Sequence, residues 1–497
     1  MARIDQTPFE VDITDLTHDG RGVARRPDPK APGAGGKAVF VAGALPGERV
    51  VAVQTGRHRS FDEARAVDVL RAAPERVSPR CPHFGTCSGC ALQHYDESRQ
   101  IVAKQRVLLE NLERIGHVTP GRVLPPLTDA AWGYRRKGRF SVRRVEKKDK
   151  TLVGFREVDP RFVADIGECH TVIPEIGSRI PALAALVDAM DGRRDIPQIE
   201  FIAGDSTAEF DGVALTFRHL QPLSDADKAK LAAFAEAEGF SIFLQPGGID
   251  TVKPLWPEQL ELSFALPDFD LHLAFRPLDF IQVNAGLNDK MIRRALELLD
   301  PQPQDRVLDL FCGLGNFTLP LATRAREAVG VEGSKTLTDR AMQAARDHGL
   351  QDTTSFATLN LFEVDVAWLR GLGYFDRMLI DPPREGAHAV AQALSLLSPA
   401  ERPKRIVYVS CNPSTLARDA SIMVHEGGYA MLSAGVINMF PHTGHVESIA
   451  VFESRDEATV LAAQADAEQK RVAAAALEAA IAAEKAAAKA EAAAAAG

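Results

Sequence analysis

Four short apolar runs in the second half of the chain constrain its fold more than any other feature. Each run is bounded by turn-forming residues and is separated from the next by a helix-like stretch: Val307–Phe311, Ala328–Glu332, Arg377–Asp381 and Arg405–Ser410. Continuous apolar runs of this length are typical of strands buried in a parallel sheet. From about residue 276, the sequence therefore predicts a doubly wound, Rossmann-like α/β domain.

A glycine turn follows the first of these runs and predicts a nucleotide-type ligand site. Gly313 and Gly315 allow the backbone to approach a ligand closely, and Glu332, at the end of the next strand, is placed to accept hydrogen bonds from ribose hydroxyls. A dinucleotide site has the same geometry, but the third glycine of its fingerprint falls on Thr318. This difference favours S-adenosylmethionine over NAD. We interpret Cys312, inside the turn, as a small core residue.

Two motifs stand directly after later runs, at the edge where open α/β sheets bind ligands. One is Asp381–Arg384 (Asp-Pro-Pro-Arg) and the other is Ser410–Pro413 (Ser-Cys-Asn-Pro). Proline ends a strand and stiffens the turn after it. We therefore expect Asp381 and Cys411 to be held over one crevice, although an isolated cysteine such as Cys411 is more often a buried core thiol.

Four of the six cysteines form a pattern that suits a metal centre. Cys81, Cys87 and Cys90 follow the spacing C-x5-C-x2-C, and Cys169 comes much later. Four thiolates bind either zinc or an iron–sulfur cluster, and the spacing alone leaves both open. A zinc site normally has a second C-x2-C pair, so the isolated Cys169 favours the cluster. So few cysteines do not indicate a disulfide framework.

A basic segment interrupts a chain whose net charge is −9. Trp132, Tyr134 and Phe140 are interleaved with its cations, and this mixture suits RNA, because cations neutralise phosphates while aromatic rings stack on unpaired bases. The alternative is a solvated basic strand pair without a partner. The eight cations are Arg135, Arg136, Lys137, Arg139, Arg143, Arg144, Lys147 and Lys148.

Outside the α/β domain, the composition predicts three further segments. Residues 1–72 read as short strands and turns, which predicts a small β-barrel. Residues 73–275 read as a mixed α+β domain with a helix over roughly 93–115, and residues 456–497 as an alanine-rich helical tail. The N-terminus lacks the apolar stretch of a signal peptide, and no run is long enough to span a membrane, so we expect a cytoplasmic protein.

The strand-end motifs, together with Phe280–Asn284 and Phe440–Glu447, resemble those of the RNA uracil-C5 methyltransferases. The resemblance covers about residues 1–455: the barrel is similar to a TRAM domain, and the four cysteines match the ribosomal branch of the family. It implies an enzyme with S-adenosylmethionine as cofactor, a [4Fe–4S] cluster on Cys81, Cys87, Cys90 and Cys169, and 23S ribosomal RNA as substrate. We expect no DNA partner and a monomer.

The resemblance also implies roles for individual residues. Cys411 would add to C6 of uracil and Glu447 would remove the C5 proton, although a lone glutamate is usually a surface residue. Such a nucleophile needs surroundings that partly ionise its thiol, and its target base must leave the RNA stack. The implied cofactor residues are Gln282, Phe311, Asn316, Glu332, Asn360 and Asp381.

Two other functions remain open from the sequence. The first is methylation of a uracil in tRNA or of a cytosine in RNA; cytosine enzymes more typically carry a Pro-Cys motif, whereas Ser410 precedes Cys411 here. The second is a non-catalytic RNA-binding or RNA-folding protein that retains the fold. The presence of Cys411, Glu447, Asp381 and the glycine turn argues against this second alternative.

Overall fold

The computed structural model describes residues 6–26, 36–205, 212–258 and 260–455. The predicted alanine-rich tail over 456–497 lies outside these ranges. Within them, buried apolar side chains form one cluster in the N-terminal part, one in the central part, and one on each face of a C-terminal sheet.

The described part of residues 1–72 forms a small six-stranded sheet. Its strand order is β1-β5-β6-β4-β3-β2, and Thr14 N donates to Val23 O, which joins the end of the first strand to the third. Val11, Val39 and Val50 lie inside, as expected for strands with alternating faces. The strands are β1 (Phe9–Asp12), β2 (Asp15–Leu16), β3 (Gly22–Arg26), β4 (Lys37–Ala42), β5 (Arg49–Arg57) and β6 (Phe61–Arg71).

A long helix, α1 (Glu97–Asn111), follows the three clustered cysteines. It begins four residues later than the predicted residue 93, because the Asp96 side chain accepts a hydrogen bond from Ser98 N and caps the helix there. A π-helical turn over Leu112–Gly116 and a short strand, β7 (Arg122–Val123), come next.

The rest of the central part is built on a second six-stranded sheet, with the order β13-β12-β11-β10-β8-β9, and a separate hairpin of β14 and β15. The strands are β8 (Lys137–Val145), β9 (Lys150–Gly154), β10 (Gln198–Ala203), β11 (Val213–Arg218), β12 (Ser241–Gln245), β13 (Lys253–Trp256), β14 (Leu262–Leu266) and β15 (Leu271–Phe275). The helices are α2 (Pro174–Gly177), α3 (Ile180–Asp188) and α4 (Asp225–Glu238).

Strand β8 carries four of the eight cations of the basic segment, and burial of two of the three interleaved aromatic rings corrects the predicted RNA-stacking surface. Phe140 is fully buried in the central core, and Tyr134 is buried with its hydroxyl donating to Pro441 O, so neither ring can stack on a base. Arg136 is buried as well, and Arg144 is paired with Asp188. The cations of the segment that are exposed are Arg139, Arg143, Lys147 and Lys148.

The C-terminal part is an eight-stranded sheet with the order β18-β17-β16-β19-β20-β22-β21-β7. The predicted parallel strands are confirmed, since β16, β17, β18, β19 and β20 run parallel; the antiparallel β22 was not predicted. The strands are β16 (Arg306–Leu310), β17 (Glu327–Glu332), β18 (Thr354–Thr358), β19 (Arg377–Ile380), β20 (Arg405–Ser410), β21 (Tyr429–Ile437) and β22 (Glu447–Ser454).

Helices cover both faces of this sheet, as a doubly wound domain requires. Helices α5, α6 and α7 contribute to the apolar cluster on one face, and α8, α9 and α10 to the cluster on the other. They are α5 (Ala285–Leu299), α6 (Thr318–Ala322), α7 (Lys335–Asp347), α8 (Val366–Gly371), α9 (His388–Ser395) and α10 (Pro413–His425).

The sequence motifs meet at one edge of the sheet. The parallel strands β16, β19 and β20 end there, and β22, which runs antiparallel to β20, begins there, with Ser448 opposite Ser410. Glu447 is therefore brought to the same edge as Asp381 and Cys411, although it is far from them in sequence.

Candidate active site

A cavity of about 530 Å³ lies at this edge of the sheet. It is lined by both predicted catalytic residues and by every predicted cofactor residue, so the fold brings together side chains that seven separate segments supply. These are Gln282, Phe311, Asn316, Glu332, Asn360, Asp381, Cys411 and Glu447.

The glycine turn forms one wall of the cavity. Gly313 and Gly315 have φ angles of 56° and 86° in the left-handed region, which glycine adopts without strain. Phe311, at the start of the turn, is also left-handed, with a φ of 65°. A Cβ on Gly313 would have no described atom within 4 Å, so the backbone there is open to a ligand. Glu332 is fixed beside it, since its carboxylate accepts from Gly313 N at 3.2 Å and from Ser334 N at 3.0 Å.

Two polar residues behind this wall were not predicted as part of the site. Asn288 on α5 exchanges two hydrogen bonds with Asn316, at 3.1 and 3.0 Å, and so orients that side chain. Asp309 is fully buried and accepts from the Thr318 hydroxyl at 2.5 Å. The hydroxyl of Thr318, at the start of α6, is therefore used in a buried hydrogen bond to the preceding strand β16. Burial raises the pKa of Asp309 to about 8.

The surroundings of Cys411 differ from the sequence-based expectation of a partly ionised thiol. Burial, followed by the charges of Glu447 and Asp381, raises the pKa of Cys411 to about 12, and the charge of Arg384 and a backbone hydrogen bond at Cys411 oppose them. Burial also raises the pKa of Asp381 to about 7 and that of Glu447 well above its usual range. The cavity therefore favours the neutral thiol of Cys411 and makes the carboxylates of Asp381 and Glu447 more basic than exposed ones.

Arg384 links the two strand-end motifs. Its carbonyl accepts from the Asn412 side chain at 3.0 Å, and its guanidinium lies 3.2 Å from Nδ1 of His445. His445 lines the cavity, whereas His442 is buried outside it, so of the two histidines in the Phe440–Glu447 motif His445 is the one placed to contact a ligand.

The four clustered cysteines line a second cavity, of about 380 Å³. Burial raises the pKa of Cys87 to about 12 and that of Cys90 to about 11. The six cysteines all lie in described ranges and are all free thiols, and Cys312 is buried as predicted. Across the described residues, no group of three or more His, Cys, Asp or Glu side chains is arranged to hold a metal ion.

Comparison with known proteins places this arrangement in a family. Residues 181–455 match the family model of the tRNA (uracil-5-)-methyltransferases, and residues 7–53 match the TRAM domain. The chain belongs to the RNA uracil-C5 methyltransferase family. The family match spans more than half of the chain, and the predicted similarity of the barrel to a TRAM domain is confirmed.

Relatives of this uracil-C5 methyltransferase are similar over nearly their whole length. A protein of Xanthomonas campestris pv. campestris (strain 8004), named 23S rRNA (uracil(1939)-C(5))-methyltransferase RlmD, is 64% identical over 454 residues, which cover 91% of this chain and 99% of the relative. A protein of Stenotrophomonas maltophilia (strain R551-3) with the same name is 62% identical over 455 residues, again covering 91% and 99%.

A solved structure shares the fold of this methyltransferase. It is the Pyrococcus abyssi tRNA (uracil-54, C5)-methyltransferase in complex with S-adenosyl-L-homocysteine, with a TM-score of 0.66 and 22% sequence identity; the match covers 89% of this chain and 100% of that one. In the described residues, no helix is both long and apolar enough to cross a membrane.

Proposed function

We propose that this protein transfers a methyl group from S-adenosylmethionine to C5 of a uridine in 23S ribosomal RNA, in the cytoplasm. The observation that carries the proposal is the single cavity that contains Cys411, Glu447 and the six cofactor residues. The ribosomal substrate is supported by the names of relatives that are 62–64% identical over 91% of the chain. A tRNA substrate has no such support among these relatives.

The reaction needs a nucleophile because C5 of uracil attacks a methyl donor too weakly. When the Cys411 thiolate adds to C6, the S–C6 bond forms and the electrons of the C5–C6 double bond move toward C5 and O4. S-adenosylmethionine would supply the methyl group: as C5 bonds to the methyl carbon, the sulfonium–methyl bond would break and S-adenosylhomocysteine would be the leaving group. Glu447 then takes the C5 proton, the double bond returns and the S–C6 bond breaks, which restores Cys411.

The residues of the cavity suit these steps. Glu447 is buried, and its raised pKa makes its carboxylate a stronger base than that of an exposed glutamate. Glu332 and Asn316 are held by partners of their own, which preorganises the cofactor side of the cavity. The high pKa of Cys411 requires that its proton leave before or during the attack on C6.

Trapping with 5-fluorouridine RNA tests the proposal. Fluorine at C5 cannot be removed as a proton, so the wild-type protein with S-adenosylmethionine should form a stable protein–RNA adduct. Cys411→Ala should form none, and Cys312→Ala, which changes the other cysteine at this cavity, should still form it. A Cys411→Ala protein that traps RNA would exclude Cys411 as the nucleophile.

We further propose that Cys81, Cys87, Cys90 and Cys169 bind one [4Fe–4S] cluster. Their side chains line one cavity although they come from two distant segments, and four thiols are the usual ligands of such a cluster. A zinc site normally has a second C-x2-C pair, whereas Cys169 stands alone, which favours the cluster. The cluster would tie the start of the central part to residue 169 and support an RNA-binding surface formed by the exposed cations of the basic segment, of which Arg139 lines the same cavity.

The cluster makes a prediction about the colour and RNA affinity of the protein. Anaerobically purified wild-type protein should be brown and contain iron, and Cys87→Ser should lose the colour and bind ribosomal RNA weakly while still binding S-adenosylmethionine. Cys312→Ser is the matched control and should stay brown. A colourless preparation with stoichiometric zinc would contradict the cluster, and unchanged RNA affinity in Cys87→Ser would contradict its role.

A further inference from the structure

Two polar side chains of helix α1 are buried against the loop that leads to Glu447. Gln100 and Lys104 stand one helical turn apart, and their exposed fractions are 1% and 3%. Burial of a lysine is costly unless its ammonium group finds partners. Both side chains point to residues 438–446, the loop between β21 and β22, which we call the 438–446 loop.

Lys104 binds the beginning of this loop. Its ammonium donates to the side-chain oxygen of Asn438 at 2.9 Å and to the carbonyl of Phe440 at 2.8 Å. Its described hydrogen-bond partners include no carboxylate, so the contact is not a structural ion pair. Burial also lowers the pKa of Lys104 to about 7.

Gln100 binds the middle of the loop through His442. Its oxygen accepts from His442 N at 3.0 Å, and its amide nitrogen lies 3.2 Å from His442 Nδ1. The carbonyl of His442 accepts from Ala91 N and Leu92 N, at 2.9 and 3.0 Å. His442 has a φ of 64°, a strained conformation for a residue with a side chain, and these contacts hold it there.

The contact made by Lys104 is close to the base of the proposed reaction. Ile437 is the cross-strand partner of Glu447 in the β21–β22 pair, and Asn438 is the next residue after Ile437. Directly opposed residues in an antiparallel pair lie about 5 Å apart at Cα. Lys104 therefore fixes the chain one residue from the position that faces Glu447.

We propose that Gln100 and Lys104 are positioning residues that hold the 438–446 loop so that the Glu447 carboxylate faces C5 of the target uracil. The proposal rests on the proposed function, in which Glu447 acts only after the methyl transfer. Weakening the contacts of Gln100 and Lys104 with the loop should slow removal of the C5 proton more than the attack by Cys411. Cys411 lies on a different turn, between β20 and α10. A purely structural role would slow both steps together.

Lys104→Met tests the positioning role, because methionine keeps much of the side-chain stem and removes the three donors. Turnover on uridine RNA should fall about 10- to 100-fold, the loss expected when a catalytic group is misplaced by about 1 Å. The covalent protein–RNA species should accumulate during turnover, while the rate of trapping by 5-fluorouridine RNA stays within about twofold of wild type. Lys228→Met, on the exposed side of α4, is the matched control and should behave as wild type.

A second pair of variants keeps the test valid if Lys104→Met does not fold. Asn438→Asp retains an acceptor for the ammonium group and should keep turnover, whereas Asn438→Leu removes it and should reproduce the accumulation of the covalent species. Equal losses in turnover and in trapping, or no loss in either, would overturn the positioning role. Failure of the wild-type protein to trap 5-fluorouridine RNA would instead overturn the proposed function itself.

Discussion

Replacement of Glu447 by glutamine separates the two halves of the proposed reaction. Glu447 is only 7% exposed, so glutamine keeps the shape of a buried side chain and removes its basicity. Cys411 can still add to C6 and C5 can still accept the methyl group, but the C5 proton has no acceptor. The methylated covalent species should therefore accumulate.

The size of the effect follows from the role and the burial of this side chain. A positioned general base contributes about 10²- to 10⁴-fold, which corresponds to roughly 3–5 kcal/mol of activation free energy. Because Glu447 is buried, bulk water has little access to replace it. We expect release of product to slow by at least about 10²-fold in Glu447→Gln.

The assay is a denaturing gel of a quenched reaction with unmodified uridine RNA, followed by mass measurement of the shifted band. The band should have the mass of protein, RNA and one added methyl group. Glu453→Gln, which changes a partly exposed glutamate at the opposite end of β22, is the matched control and should turn over as wild type. Turnover of Glu447→Gln at the wild-type rate, or loss of activity without a covalent band, would refute the reasoning.

Two other predictions concern the nucleophile and the contact between domains. The pKa of Cys411 is raised to about 12, so the reactive thiolate is a small fraction at neutral pH and grows as the pH rises. The rate of trapping by 5-fluorouridine RNA should therefore rise from pH 6 to pH 9, and a flat profile would contradict this. A Cβ on Gly444 would lie 2.6 Å from His18 O of the N-terminal barrel, so Gly444→Ala should destabilise that contact by about 1–3 kcal/mol and lower the thermal midpoint. Gly248→Ala, with no described atom within 4 Å of the added Cβ, should leave the midpoint unchanged.

The sequence predicted those parts of the site that local patterns determine. Apolar runs and the prolines after them predicted that Asp381 and Cys411 stand at strand ends, because a strand and its turn are encoded by neighbouring residues. The glycine turn was predicted in the same way. The prediction that Glu447 belongs to the site came from the resemblance to the family. Local patterns could not supply it, because the pairing of β22 with β20 is a long-range contact.

Other features depend on packing that a sequence pattern does not contain. No sequence pattern marks the polar residues Gln100 and Lys104 of helix α1 as buried, yet both are buried against the 438–446 loop. Tyr134 lies in a basic segment but is buried, and the raised pKa of Cys411 results first from burial and then from carboxyl groups on two other segments. Each was missed or misjudged because its surroundings come from distant parts of the chain.

The most direct test of the central claim is to map methylated uridines by mass in ribosomal RNA from cells that lack this protein. One 5-methyluridine in 23S ribosomal RNA should disappear, return when the wild-type protein is supplied, and stay absent with Cys411→Ala. A 23S ribosomal RNA with unchanged 5-methyluridines, or restoration of the missing one by Cys411→Ala, would contradict the account.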